Sequence, residues 1–225
     1  MKHLLLSLLV LTFSCSKEKS VLLPEITNAK ITKVTDVSPA YLFYDKTKND
    51  STDLNRGNLI STTNWLVNVD KRLTLKQAIP KIILLQNKKR NADHKNETAK
   101  NYYTCNDTSI KNLGFIEFTD VIYKINYVSP NVTPDYNNPR ERKIILDFSS
   151  PSDIKLVTIL KDSILKNSTL YSVQKDLEDL ANQMQYEIYL NIKDKLTFQD
   201  YISLKSVLSQ IDSSKITVNT NEFIY

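Results

Sequence analysis

Two stretches decide how this chain is read. They are Asn68-Val69-Asp70-Lys71-Arg72-Leu73-Thr74-Leu75 and Asn191-Ile192-Lys193-Asp194-Lys195-Leu196-Thr197-Phe198. Aligned without gaps over 68–86 and 191–209, five of nineteen positions are identical, at Asn68, Leu73, Thr74, Ile79 and Leu85. Chance gives roughly one, so the pattern reads as an internal duplication.

Both copies follow the same physical grammar. A strand leads in: Trp65-Leu66-Val67-Asn68-Val69 in the first, 186–192 in the second. In the second, Tyr186, Ile188, Leu190 and Ile192 alternate with Glu187, Tyr189 and Asn191, which gives one apolar face. A charged turn follows, then a threonine with a polar partner three residues on: Thr74 with Gln77, Thr197 with Asp200. That spacing predicts helix N-caps of the capping-box kind. The second helix carries Tyr201, Leu204, Leu208 and Ile211 at helical spacing; the first carries Leu75, Ala78, Ile79, Ile82 and Ile83. Pro80 interrupts the first helix and predicts a kink or a late start.

Working outward, strands are expected at 40–44, 58–62, 115–128, 154–159 and 215–218, and another across Ile164-Leu165 and Thr169-Leu170-Tyr171. A further helix puts Val173, Leu177, Leu180 and Met184 on one face. Residues 129–142 hold Pro130, Pro134, Pro139 and Asn137-Asn138, a linker signature. The expected class is α+β, with two small lobes built from strand-helix-strand units. The first lobe covers 36–128, a linker 129–142, and the second lobe 143–225.

The chain opens Met1-Lys2-His3, then an uncharged and mostly apolar run over 4–13, then Ser14-Cys15. A basic start, a short apolar run and a small residue read as an export signal over 1–14. The run is too short to cross a bilayer, which needs about 20 apolar residues. The segment Leu11-Thr12-Phe13-Ser14-Cys15 resembles the bacterial lipoprotein signal, with Thr12 where the family usually has leucine. The resemblance implies cleavage before Cys15 and a diacylglycerol thioether on it. It also implies a tether over 15–35 and a place in the cell envelope, facing periplasm or cell surface. Two or more acyl chains anchor stably, at about 0.8 kcal/mol per buried CH2.

Composition excludes more than it assigns. Apolar content is 41% and charge 24%, enough for a packed core. The net charge of +5 is interspersed, apart from Lys88-Lys89-Arg90. That cluster reads as a solvated helix end, so no nucleic-acid role is expected. With His3 in the signal, His94 is the one histidine left, and Cys105 the one cysteine besides Cys15. No zinc spacing can be written, so no metal and no cofactor are expected. Two glycines, Gly57 and Gly114, cannot make a phosphate-cradling loop. One catalytic reading remains, a hydrolase or transferase using a Cys105–His94 dyad, with Glu97 as a third member. Burial of Cys105 as a small hydrophobe is the plainer expectation, and no catalytic residue is assigned.

The second half, about 143–225, resembles the periplasmic domain of ExbD and TolR. The likeness lies in order and pattern. Two strands and a helix come first, then a strand ending in Asn191-Ile192-Lys193-Asp194-Lys195. A helix with Phe198 and Tyr201 early and a last strand complete it. That family crosses the inner membrane once and uses an aspartate in the span; this chain has neither. The resemblance therefore implies only the part that dimerises and touches peptidoglycan or envelope proteins, accessory to proton-gradient-driven transport. The expected function is a non-enzymatic, lipid-anchored interaction module, able to pair through edge strands as a homodimer or with a peptide. The alternative is a small-ligand or sugar-binding protein using an inter-lobe cleft, with Trp65, Tyr102 and Tyr103 as contacts.

Overall fold

The computed structural model describes residues 19–94, 96–127, 141–158, 163–182, 185–212 and 214–225. The signal segment, Cys15, the linker prolines, Asn137, Asn138, Ile159 and Met184 lie outside the described residues. Within them the fold is α+β, with three helices and two mixed sheets of six strands each forming two lobes.

The first sheet contains β1 (Glu25–Ile26), β2 (Val37–Tyr44), β3 (Thr52–Asn55), β4 (Asn64–Val69), β5 (Asn101–Asp107) and β6 (Asn112–Glu117). Its order is β3-β2-β4-β5, with β1 and β6 both on β5. The second sheet takes β7 (Ile122–Ile125), β8 (Glu141–Ser150), β9 (Asp153–Thr158), β10 (Ser163–Ser168), β11 (Gln185–Ile192) and β12 (Ile216–Ile224). Its order is β10-β9-β8-β11-β12-β7. The helices are α1 (Leu75–Arg90), α2 (Val173–Ala181) and α3 (Phe198–Gln210).

The sequence repeat is also a repeat in space. The runs β3-β2-β4-β5 and β9-β8-β11-β12 share order and strand direction. Val67 pairs with Tyr103 as its equivalent Leu190 pairs with Glu222. The two copies meet at their helix caps, where Thr74 and Thr197 form an antiparallel bridge. Leu75 N donates to Leu196 O at 2.9 Å, and its equivalent Phe198 N donates to Leu73 O at 2.7 Å. Lys76 N to Asp194 O and Gln199 N to Lys71 O are a second equivalent pair. The junction is therefore two-fold in pattern, like an isologous interface within one chain.

Both caps form. Thr197 N donates to Asp200 Oδ2 at 3.0 Å and Asp200 N to Thr197 Oγ1 at 3.1 Å. In the first copy Gln77 Oε1 accepts from Thr74 N at 2.9 Å. Each arrangement satisfies a donor that the helix start would leave unpaired. α1 starts at Leu75 and runs through Pro80, so the late start is not seen. Pro80 is tolerated on the exposed face, while Leu75, Ala78, Ile79, Ile82 and Leu85 are buried on the other.

The structure corrects several expectations. Residues 58–62 are turn, not strand: Leu59 N donates to Arg56 O, Thr63 N to Ile60 O, and Ser38 Oγ accepts from Ile60 N. These bonds take up backbone groups that a ladder would otherwise use. The hairpin partner of β2 is β3 instead. The long strand at 115–128 is two strands in different sheets. β6 ends at Glu117, the chain turns over Phe118 to Val121, and β7 pairs with β12. Gln86 Nε2 of α1 donates to Val121 O at 2.9 Å, which satisfies the turn that a ladder would otherwise have to. The first-lobe range 36–128 thus sends one strand into the second sheet. Central β8 has no counterpart among the expected strands, and Thr169-Leu170-Tyr171 is a turn into α2.

From residue 19 onward, the stretch assigned to a tether over 15–35 is docked. Asn106 N donates to Pro24 O, Ala29 N to Asp107 Oδ2, and Phe115 N to Ile31 O. Gly114 permits this: a Cβ there would lie 2.6 Å from Ala29 Cβ. One apolar core runs through both lobes, with Tyr103, Phe198 and Tyr201 fully buried where they meet.

Candidate functional site

A polar chain crosses the seam between the lobes. Tyr103 of β5 and Tyr123 of β7 share a hydrogen bond of 2.5 Å, and Tyr123 and Tyr201 of α3 one of 3.0 Å. Tyr201 Oη donates to Glu222 Oε2 at 2.7 Å, and Lys205 Nζ to Glu222 Oε1 at 2.5 Å. Glu222 is wholly buried, and Lys205 is 13% exposed. Burial holds the Tyr103, Tyr123 and Tyr201 hydroxyls well above the ordinary phenol range. All three are neutral donors and acceptors at physiological pH.

Lys205 also lines a cleft of about 280 Å3 between the lobes. One wall is the docked N-terminal segment and β6, through Ile26, Ile31 and Phe115; the other is α3 and β12, through Leu208 and Val218. Two glutamines of α3 clamp the segment. Gln199 Nε2 donates to Glu25 O, its Oε1 accepts from Glu25 N, and Gln210 Nε2 donates to Asn28 O.

A second surface lies at the far edge of the second sheet. Among the described residues β10 has a strand neighbour on one side only, β9. Ile164 is 53% exposed, Leu165 43%, and Tyr171 just beyond the strand 99%.

No protein-family model, curated protein or solved structure matches this chain.

The residues expected to bear chemistry are not brought together. Cys105 sits in β5 opposite Gly114 and is wholly buried, and burial pushes its thiol up to about 12. His94 is exposed, with its carbonyl accepting from Ser61 Oγ. Glu97 is likewise exposed and lines a separate hollow with Lys89 and Arg90. In the folded chain at pH 8, Cys105 should react with iodoacetamide at least a hundredfold more slowly than in urea, read by mass spectrometry. A rate equal to that of a free thiol would show that the core opens to reagent, and only a faster one would reopen the dyad.

Nor do the expected aromatic contacts reach the cleft. Trp65 is core, its Nε1 donating to Ile60 O at 2.7 Å, and Tyr102 packs edge-on against Phe115. Tyr103 stacks on Phe118 with ring centroids 3.9 Å apart and reaches the cleft only through the polar chain. The repeat could have signalled that chain: Tyr201 and Lys205 stand where the first copy has buried Ala78 and Ile82.

The basic cluster holds another correction. Lys89 is 7% exposed, not solvated. Its Nζ donates to Thr63 O, Lys100 O and Asn101 Oδ1 and lies 5.1 Å from the Trp65 ring centre. Burial lowers its pKa to about 8, against 10.5 in an open chain. Between these values the unfolded chain holds the Lys89 proton and the folded chain does not, so stability rises with pH. Urea titrations should therefore show wild type gaining stability relative to Lys89→Met between pH 7 and pH 10. A constant difference would mean the amine titrates normally.

Proposed function

We propose that the chain is a bacterial envelope lipoprotein held by lipid on Cys15, and that its body is a non-enzymatic interaction module. The observation that carries this reading is the edge of β10. A free sheet edge offers a row of backbone donors and acceptors, which an extended segment of another protein can extend by one strand. Ile164, Leu165 and Tyr171 supply apolar side chains beside that row. Exposed apolar side chains grouped in this way mark interaction surfaces more often than scattered ones do. Three strands, β8, β9 and β10, precede α2 where the resemblance to the ExbD and TolR periplasmic domain implies two, so the reading rests on the β10 edge and not on that likeness.

Crosslinking in intact cells tests the reading, with tagged lipidated protein compared with Ile164→Lys/Leu165→Lys. The wild type should capture an envelope protein that the variant loses, while Cys15→Ser loses incorporated palmitate. Capture of a second copy alone would make β10 a homodimer seam. Recovery of wall fragments unchanged by the variant, or of nothing, would overturn the β10 reading.

A further inference from the structure

The Lys205–Glu222 pair is not demanded by the fold. A buried ion pair costs several kcal/mol of desolvation per ion, and well-packed apolar residues often replace it without loss. Here the fold supplies its own comparison. The equivalent of Lys205 in the first copy is Ile82, wholly buried on the same turn of a helix with the same cap. The equivalent of Tyr201 is Ala78, also wholly buried. The second copy thus carries a charge where the same architecture is satisfied by a hydrocarbon, and it does so on the wall of the inter-lobe cleft.

The cleft is amphipathic in a particular way. Its body is apolar, through Ile26, Ile31, Phe115, Leu208 and Val218. Its cations are Lys205 and the exposed Lys30. The one carboxylate in its lining, Glu117, is held by Lys100 at 2.9 Å and accepts from Thr119 at 3.2 Å. Glu222 lies behind Lys205 with both oxygens engaged. An ammonium has three donors. Among the described residues Lys205 Nζ has one acceptor, Glu222 Oε1. Of the charges at the wall, Lys205 meets Glu222, Lys100 meets Glu117, and Lys30 lies within electrostatic reach of Asp212, which is outside the lining, so Lys205 and Lys30 are the cations that the cleft itself presents. A net charge of +5, or +4 once Lys2 leaves with the signal, adds a favourable field for anions.

We propose that the inter-lobe cleft binds a small amphipathic monocarboxylate, with its hydrocarbon against the apolar wall and its carboxylate at Lys205 and Lys30. The volume sets the size. About 280 Å3 lies just under the usual range of ligand sites, about 300–1,000 Å3. It is on the order of nine water volumes at about 30 Å3 each. An eight-carbon chain suits that space and a membrane lipid does not. The proposal stands apart from the β10 reading, since the two surfaces share no residue.

The test is isothermal titration calorimetry on the chain from residue 15 onward carrying Cys15→Ser, with octanoate as the probe. Octanoate should bind, octanol at least tenfold more weakly, and octylammonium without measurable heat. Lys30→Ala should weaken octanoate several-fold. The double variant Lys205→Met/Glu222→Gln, which removes both buried charges together, should weaken it at least tenfold. Ser206→Trp, which fills the cleft from α3, should abolish binding with little change in melting temperature. Absence of octanoate binding, equal affinity for octanol, or an unchanged affinity in Ser206→Trp would each overturn the proposal.

Discussion

Lys205→Ala should destabilise the chain by about 3–5 kcal/mol, the usual penalty for stripping one partner from a buried ion pair. Glu222 has no exposed surface and two hydrogen-bond donors, Tyr201 and Lys205. Without the ammonium its charge keeps the neutral Tyr201 hydroxyl as its one remaining donor among these two. The penalty comes from the carboxylate left behind, not from any intrinsic strength of the pair. Lys205→Met/Glu222→Gln should therefore recover most of the loss: glutamine Oε1 still accepts from Tyr201, and methionine fills the stem volume. Urea midpoints followed by circular dichroism would measure both. A single variant as stable as the double would show that water reaches Glu222 and that the pair is not truly buried.

Tyr103→Ala should cost a similar amount, about 3–5 kcal/mol, for a different reason. Its ring stacks on Phe118 and meets Phe198 and Tyr201 edge-on, at centroid distances of 5.1 and 6.2 Å. Alanine leaves a cavity at the one place where β5, β7 and α3 converge. Tyr103→Phe keeps the ring and removes one hydroxyl, so it should cost about 1 kcal/mol, because Tyr123 retains Tyr201. A loss for phenylalanine as large as for alanine would make the hydroxyl chain, not the packing, the fastening between the lobes. The same chain has a pH signature. Burial raises all three phenols above the ordinary value of 10 in the folded state. Their contribution is thus complete below pH 10 and is lost above it, as the unfolded chain releases protons that the folded chain keeps. An absorbance titration of the folded protein should leave Tyr103, Tyr123 and Tyr201 un-ionised until unfolding begins, with Tyr225, which burial also raises, ionising late.

The two-fold junction gives these residues their setting. Each copy presents its cap to the other, so the lobes are fastened by backbone bonds at one end and by the tyrosine chain deeper in. Strand β7 crosses from one lobe's sequence into the other's sheet, which ties them covalently as well as by packing.

From the sequence alone come the α+β class, the two copies, both caps, and the buried faces of α1, β11 and α3. All of these are local: alternation, helical spacing and a threonine with a partner three residues on are written within ten or so positions. The burial of Cys105 follows instead from the chemistry of a lone thiol, not from the pattern of its neighbours. Only the tertiary structure decided the rest, because it depends on residues far apart in sequence. The turn at Phe118 to Val121 could not be seen within a run as strand-like as 115–128; Gln86, over thirty residues away, satisfies its carbonyls. The N-terminal segment reads as a polar tether until Gly114 is seen to leave room for Ala29. Lys89 reads as a solvated helix end until three oxygen acceptors, one of them twenty-six residues away, close around it. Tyr201 and Lys205 sit at core spacing on α3, and nothing in their own helix says that one meets two tyrosines and the other a glutamate. That meeting is made by β5, β7 and β12 arriving from three parts of the chain, and burial by partners from elsewhere is a property that no single stretch of sequence carries.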